Sequence, residues 1–459
     1  MSYTAIDVHC HYFNGEYAVS ELMEICNSWL LGNYPNTFSR GGIKPGETPS
    51  LPDLSGLHTY IASLFSAAVR DPAEHYLYEQ ERFEKSLWNP VSNLVTVPLM
   101  MDIFFALDDG SSSSLQSASL EDKEKGTAQP FKAFFEEQAG ALKSGILEAF
   151  TGRGKGWKRS TAVNEDGEVE RRIDRAIDEF LDREETLQPA VSKGLPETVR
   201  MTKGYEEHLK ALEQLQEMNP GTVLPFLAVD PRRKGVETLI RTKVLSGGFK
   251  GVKLYPPLGY YPAHPALYPV YELCVDNTVP VTVHAMPYAF NSMCRRIQTQ
   301  IRRKDGSIED ITVELGVNEK PSYRFAQPKQ WLEILENPRF SKLRLNFAHF
   351  GGEHIEKNAG DPDDAENWTS QIIELMKRFE HVYADFSASA QPDAIRWIQT
   401  IAQREPLVKE RLMFGSDYLM VMLNDRIDGD LENYFNHFAG IEPEMRYINA
   451  AKFLDMHAD

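Results

Sequence analysis

Thr4-Ala5-Ile6-Asp7-Val8-His9-Cys10-His11 is a short, largely apolar run that ends on two histidines one residue apart. Residues two apart in a β-strand point to the same face, so the spacing predicts that both imidazoles project together from the strand's C-terminal end. Two neutral imidazoles side by side can bind one metal ion. Alone the pattern is thin, because twelve histidines scattered over 459 residues would give ~0.3 such pairs by chance. Its weight depends on whether further ligand-type residues close later strands.

They do. Apolar or β-prone runs recur at 94–100, 222–229, 249–257, 279–284, 343–352, 382–387 and 411–417. Lys253, His284, His349 and Asp417 stand at or near the ends of four of them. Helical spacing separates the runs at 58–87, 205–218, 236–245, 268–277, 328–335, 368–379 and 393–402, and two more helices are expected at 431–438 and 444–454. A helix at 16–31, a Gly/Pro-rich loop at 32–52 and an irregular basic segment at 295–320 fill the remaining connections. Alternation of this kind implies an α/β fold with a parallel sheet, and eight units close most naturally into a (β/α)8 TIM barrel. The site then lies where the strands' C-terminal ends converge.

One stretch does not fit that rhythm. Residues 108–203 carry a serine run at Ser111 to Ser114 and dense charge clusters, and they far exceed the dozen or so residues that a crossover needs. They are read as an inserted subdomain or lid after strand 2, on a barrel formed by 1–107 and 204–459.

Composition narrows the partners. With 49 Lys+Arg against 67 Asp+Glu, the net charge of −18 repels phosphate backbones and anionic lipid surfaces. Nucleic acid and membranes are therefore not expected partners, a small-molecule substrate is, and self-association into a homo-oligomer is left open. The 42% apolar content is that of an ordinary globular protein. Cys10, Cys26, Cys274 and Cys294 are too few and too scattered for a disulfide framework. The N-terminal stretch lacks the basic region and long apolar core of a signal peptide, and the apolar stretch 94–107 is broken by Pro98 and Asp102. A cytoplasmic location is expected.

His9, His11, Lys253, His284, His349 and Asp417 thus converge on one cavity. Imidazole and carboxylate suit zinc, with manganese or iron as alternatives, and an ion with an open position activates water near neutral pH. Asp417 can act as ligand and general base, and His349, if not a ligand, can polarise the scissile group. The other histidines, His75 and His208 among them, fall in expected helices or loops and receive no role, except His354, a weaker candidate just past the sixth strand.

Four phrases carry a family resemblance: Asp7-Val8-His9-Cys10-His11, Gly251-Val252-Lys253-Leu254-Tyr255-Pro256, Ala348-His349-Phe350-Gly351-Gly352 and Phe414-Gly415-Ser416-Asp417-Tyr418. The chain resembles the amidohydrolase superfamily of metal-dependent barrels, in particular its amidohydrolase-2 (amidohydrolase-related) branch. The resemblance spans the strands but not 108–203. Tyr447-Ile448-Asn449-Ala450-Ala451 lacks the glycine usual before the Asn-Ala phrase.

The resemblance implies one metal held by His9, His11, His284 and Asp417, with His349 free for proton transfer. In binuclear branches it implies instead a carbamylated Lys253 bridging two ions. The implied activity is hydrolysis of a C–N or C–O bond of a small polar substrate. The family also contains non-oxidative decarboxylases, for which Arg295 and Arg296 would be the nearest cations. A catalytically silent barrel that binds a ligand or partner is the remaining alternative.

Overall fold

The computed structural model describes residues 3–13, 71–88, 91–102, 105–106, 110, 203–292, 294–316, 319–389, 391–423 and 431–456. Apart from Gly110 and Lys203, the expected inserted subdomain lies outside them, as do the expected helix at 16–31 and loop at 32–52. The architecture is mixed α/β.

Strands β1 (Tyr3–Cys10) and β2 (Val91–Pro98) pair in parallel, with Ala5 opposite Leu94 and Ile6 opposite Val95. A six-stranded parallel sheet is built from β3 (Phe226–Val229), β4 (Gly251–Leu254), β5 (Val281–His284), β8 (Leu345–Ala348), β9 (Val382–Asp385) and β10 (Leu412–Met413), adjacent in that order. Strands β3, β4, β5 and β8 are buried on both faces, which is why they read as nearly continuous apolar runs. Backbone bonds tie the β1–β2 pair to both ends of this sheet. Leu224 N donates to Thr96 O at 2.9 Å and Met100 N to Phe226 O at 3.0 Å on one side. On the other, Val8 N donates to Phe414 O at 3.1 Å, Asp417 N to His9 O at 2.7 Å and His11 N to Tyr418 O at 3.0 Å.

The helix expected over 58–87 is described from Pro72 to Lys85. Asp71 caps it: the Asp71 side chain accepts from Glu74 N, Glu74 returns the bond to Asp71 N, and proline takes the first helical position. No described helix is long and apolar enough to cross a membrane.

Two expectations need correction. The segment 295–320, read as irregular, contains an antiparallel hairpin of β6 (Arg296–Arg302) and β7 (Ile308–Glu314). Ile297, Thr299 and Ile301 alternate with polar neighbours, and Gly306 supplies the positive φ of 87° that the turn requires. The strands are also shorter than their apolar runs. β8 stops at Ala348 because His349 and Phe350 take φ values of 70° and 48°, and Asp417 beyond β10 takes 57°. Left-handed backbone cannot continue a strand.

Candidate metal centre

His9 near the end of β1 and His11 just past it face one place, and the turn after β10 brings Asp417 against them. All three are buried. His11 Nδ1 lies 2.8 Å from Leu99 O. A carbonyl can only accept, so Nδ1 carries the proton and the neutral ring presents the Nε2 lone pair. His9 Nδ1 lies 3.3 Å from Asp385 Oδ2 and 3.0 Å from Ser387 Oγ, and the carboxylate selects the same tautomer.

Both Nε2 atoms then face one carboxylate oxygen, Asp417 Oδ1, at 3.4 Å from His9 and 3.2 Å from His11. Three acceptors converge with no donor between the neutral forms, and His9 Nε2 and Asp417 Oδ1 have no hydrogen-bond partner among the described residues. Buried acceptors aimed at one another repel unless a cation joins them. The donor set fits a divalent ion.

The local field keeps the His9 ring neutral. Burial, followed by the charges of Lys253, His11 and His284, holds His9 well below the usual histidine range. Burial pushes the Asp417 carboxyl up, opposed by His11 and Lys253. Lys253, on β4, is lowered to about 8 by burial despite Asp385 and Asp417 nearby. Its Nζ is buried with no hydrogen-bond partner among the described residues. Asp7, whose Oδ1 accepts from His9 N and Ser416 N at 3.0 Å each, is raised to about 6 by burial.

His284 stands beside the trio, but in this arrangement its nitrogens are engaged elsewhere. Nε2 lies 3.0 Å from Tyr288 O and 3.2 Å from Met286 O, and Nδ1 lies 3.1 Å from His349 Nε2. The loop after β5 folds its carbonyls back onto the ring, and burial lowers His284 to about 3. The hydrogen-bond directions follow in sequence. His284 Nε2–H donates to carbonyls, so its Nδ1 accepts from His349 Nε2–H, which leaves His349 Nδ1 without the proton, 2.9 Å from a Ser387 Oγ whose own hydrogen goes to Asp385 Oδ1.

His9, His349 and Asp385 also lie close enough to suggest a second ion. The hydrogen bonds argue against it. Asp385 Oδ1 accepts from His349 N and Ser387 N at 3.1 Å each and from the Ser387 hydroxyl, while Oδ2 accepts from Asn346 Nδ2 at 2.7 Å. A carboxylate so occupied orients its neighbours and has little left for a metal.

Asp385, Ser387 and Asn346 are absent from the sequence reading. Asp385 had a signal, since it closes β9 as His284 closes β5. Arg295 and Arg296 sit at the hairpin: Arg295 donates to Gly316 O at 3.0 Å and Glu319 O at 3.3 Å, and exposed Arg296 pairs with Glu314 at 3.3 Å. His354 Nδ1 accepts from Trp368 N at 3.1 Å.

Residues 6–446 match the family model described as Amidohydrolase. The chain belongs to the amidohydrolase family. It is accordingly an enzyme, a hydrolase, and the buried trio agrees with the metal dependence of an amidohydrolase. No curated protein matches the sequence. Among solved structures, the amidohydrolase is similar to a candidate amidohydrolase of Staphylococcus aureus, at 14% identity over 57% of this chain and 85% of that one, with a TM-score of 0.31. It is also similar to a candidate metal-dependent hydrolase of Lactobacillus casei ATCC 334, at 11% identity over 99% of this chain and 92% of that one, with a TM-score of 0.28. Both scores are too low to carry an argument.

Proposed function

We propose that this amidohydrolase hydrolyses a C–N or C–O bond of a small polar substrate, using one divalent ion, zinc in the first instance, held by His9, His11 and Asp417. The observation that carries the proposal is the meeting of two imidazole lone pairs and one carboxylate oxygen in a buried place without a donor. Lys253 and His284, at the ends of β4 and β5, are the candidates for further coordination, with carbamylation of Lys253 the route by which a second ion would enter. The scaffold we propose is a closed (β/α)8 barrel from 1–107 and 204–459, with 108–203 inserted. The bonds from β1–β2 to both ends of the six-stranded sheet support it.

His9, His11 and Asp417 would hold the ion, which when bound would supply Lewis acidity and lower the pKa of water toward neutrality. Asp417 would hold the ion through one carboxylate oxygen and take a proton through the other. His349, neutral and donating its Nε2–H to His284, would deliver a proton to the departing group. Hydrolysis is favoured over decarboxylation because the arginines expected to hold a substrate carboxylate are engaged at the hairpin. The acidic surface and scattered cysteines support a cytoplasmic enzyme.

Elemental analysis tests the centre. Wild type should carry stoichiometric metal, and His9→Ala or His11→Ala should lose it. Asp417→Asn should retain part of the metal while turnover falls about 10²-fold or more. A wild-type protein without stoichiometric metal would overturn the reading, and release of CO2 from the substrate would replace hydrolysis by decarboxylation.

A further inference from the structure

His75 lies in the first turn of the helix Pro72–Lys85, fully buried, with its own N–H bonded to Asp71 O at 2.9 Å. Its ring touches two chain segments far apart in sequence. Nε2 lies 3.2 Å from Phe13 O, and Nδ1 lies 2.9 Å from the Tyr418 hydroxyl. The carbonyl can only accept, so Nε2 carries the proton and Nδ1 accepts from Tyr418. Both bonds are satisfied by one neutral tautomer.

The places it touches matter more than the bonds themselves. Phe13 follows His11 by two residues, and Tyr418 follows Asp417 directly. We propose that His75 is a positioning residue for the metal centre, clamping the chain beyond His11 to the chain beyond Asp417 and so setting the gap between those two ligands. The gap in question is the 3.2 Å between His11 Nε2 and Asp417 Oδ1.

The surroundings favour a rigid clamp. The Tyr12 ring stacks on His75 at 6.3 Å with 8° between planes, and the Tyr418 ring meets it edge-on at 5.5 Å. From the helix Lys203–Met218, His208 Nε2 donates to Tyr12 O at 3.0 Å and fixes the same stretch from another direction. Polar bonds of fixed direction in a buried place hold a backbone more narrowly than packing alone.

The proposal rests on the reading of His11 and Asp417 as ligands. Its test is Co(II) titration of the purified, metal-stripped full chain, followed by visible absorption and calorimetry. His75→Leu removes both bonds and should weaken Co(II) binding about 10-fold or more, with an altered ligand-field spectrum. His75→Gln offers an amide donor and an amide acceptor in one side chain and should bind close to wild type. Tyr418→Phe breaks one bond and should fall between them, and it keeps the test alive if His75→Leu does not fold. Ile401→Ala, in the buried face of the helix Ala394–Arg404, lowers stability away from the centre and should leave affinity unchanged.

Equal affinity of His75→Leu and wild type would overturn the clamp, as would His75→Gln binding as weakly as His75→Leu. Loss of affinity in Ile401→Ala to match His75→Leu would overturn it too, by showing that general destabilisation suffices. Failure of wild type itself to bind Co(II) would remove the ligand reading and the clamp together.

Discussion

Asp385 shows how a single carboxylate directs a site without joining it. Its Oδ2 faces His9 Nδ1 at 3.3 Å and thereby turns the Nε2 lone pair toward Asp417. Asp385→Asn places an amide where a full negative charge accepted, and metal affinity should drop about 10- to 100-fold, read by zinc titration. Unchanged affinity would show that something else selects the His9 tautomer. His208 gives a pH signature of known sign. Burial lowers its imidazole from 6.5 to about 4, so between those values the unfolded chain binds a proton that the folded chain refuses. Stability therefore falls as pH drops from 6.5 toward 4, while above 6.5 the ring is neutral in both states. His208→Gln keeps a donor for Tyr12 O and removes the titration, so it should gain on wild type between about pH 7.5 and about pH 4.5 in denaturant unfolding. A constant difference between the two proteins would contradict this. The placement of His9, His11, His284, His349 and Asp417 was legible because each lies at or near the end of an apolar run. Ser387 and the carbonyl of Leu99 were not: a hydroxyl two residues past a strand has no distinctive pattern, and every residue has a carbonyl.

At the scale of elements, the order of strands and helices was readable from hydrophobic period, whereas the ends of strands were not. The run from Leu343 to Gly352 stays apolar beyond β8, but the backbone turns left-handed at His349. Composition does not record that change, which accompanies a bond from His349 N to the Asp385 carboxylate on the next strand. The hairpin β6–β7 was missed because its exposed faces are polar and its buried cluster is small, Ile297 and Val313 packing with Leu315 and Phe325. Close approach of β10 to β1 and β9 has its own requirement. A Cβ on Gly415 would sit 2.9 Å from Cβ of His9 and 2.9 Å from Cβ of Ser387. Gly415→Ala should therefore cost about 1–3 kcal/mol of stability, through overpacking, and should also weaken metal binding by pushing His9 aside. Thermal unfolding with and without zinc separates the two effects, and wild-type behaviour in both would mean that the strands shift freely.

For the molecule as a whole, the mixed α/β character followed from alternating periods, and the matched family model reaches from residue 6 to residue 446. All the candidate ligands lie outside 108–203. Replacing that segment with a short linker should leave metal content at the wild-type level by elemental analysis, and loss of metal would make the segment part of the centre. The bonds from β1 to the run after β10 also govern when the enzyme can exist. Asp7 and Ser416, joined at 3.0 Å, are 409 residues apart. At roughly 5–20 residues per second, a ribosome needs roughly 20–80 s to cover that interval. Throughout it, β1 on the nascent chain has one edge without its final neighbour, a state that invites pairing with other chains. Both histidines of the trio are already made, but the carboxylate that completes it is not. Translation therefore delivers the last member of the buried trio and the strand's missing neighbour together.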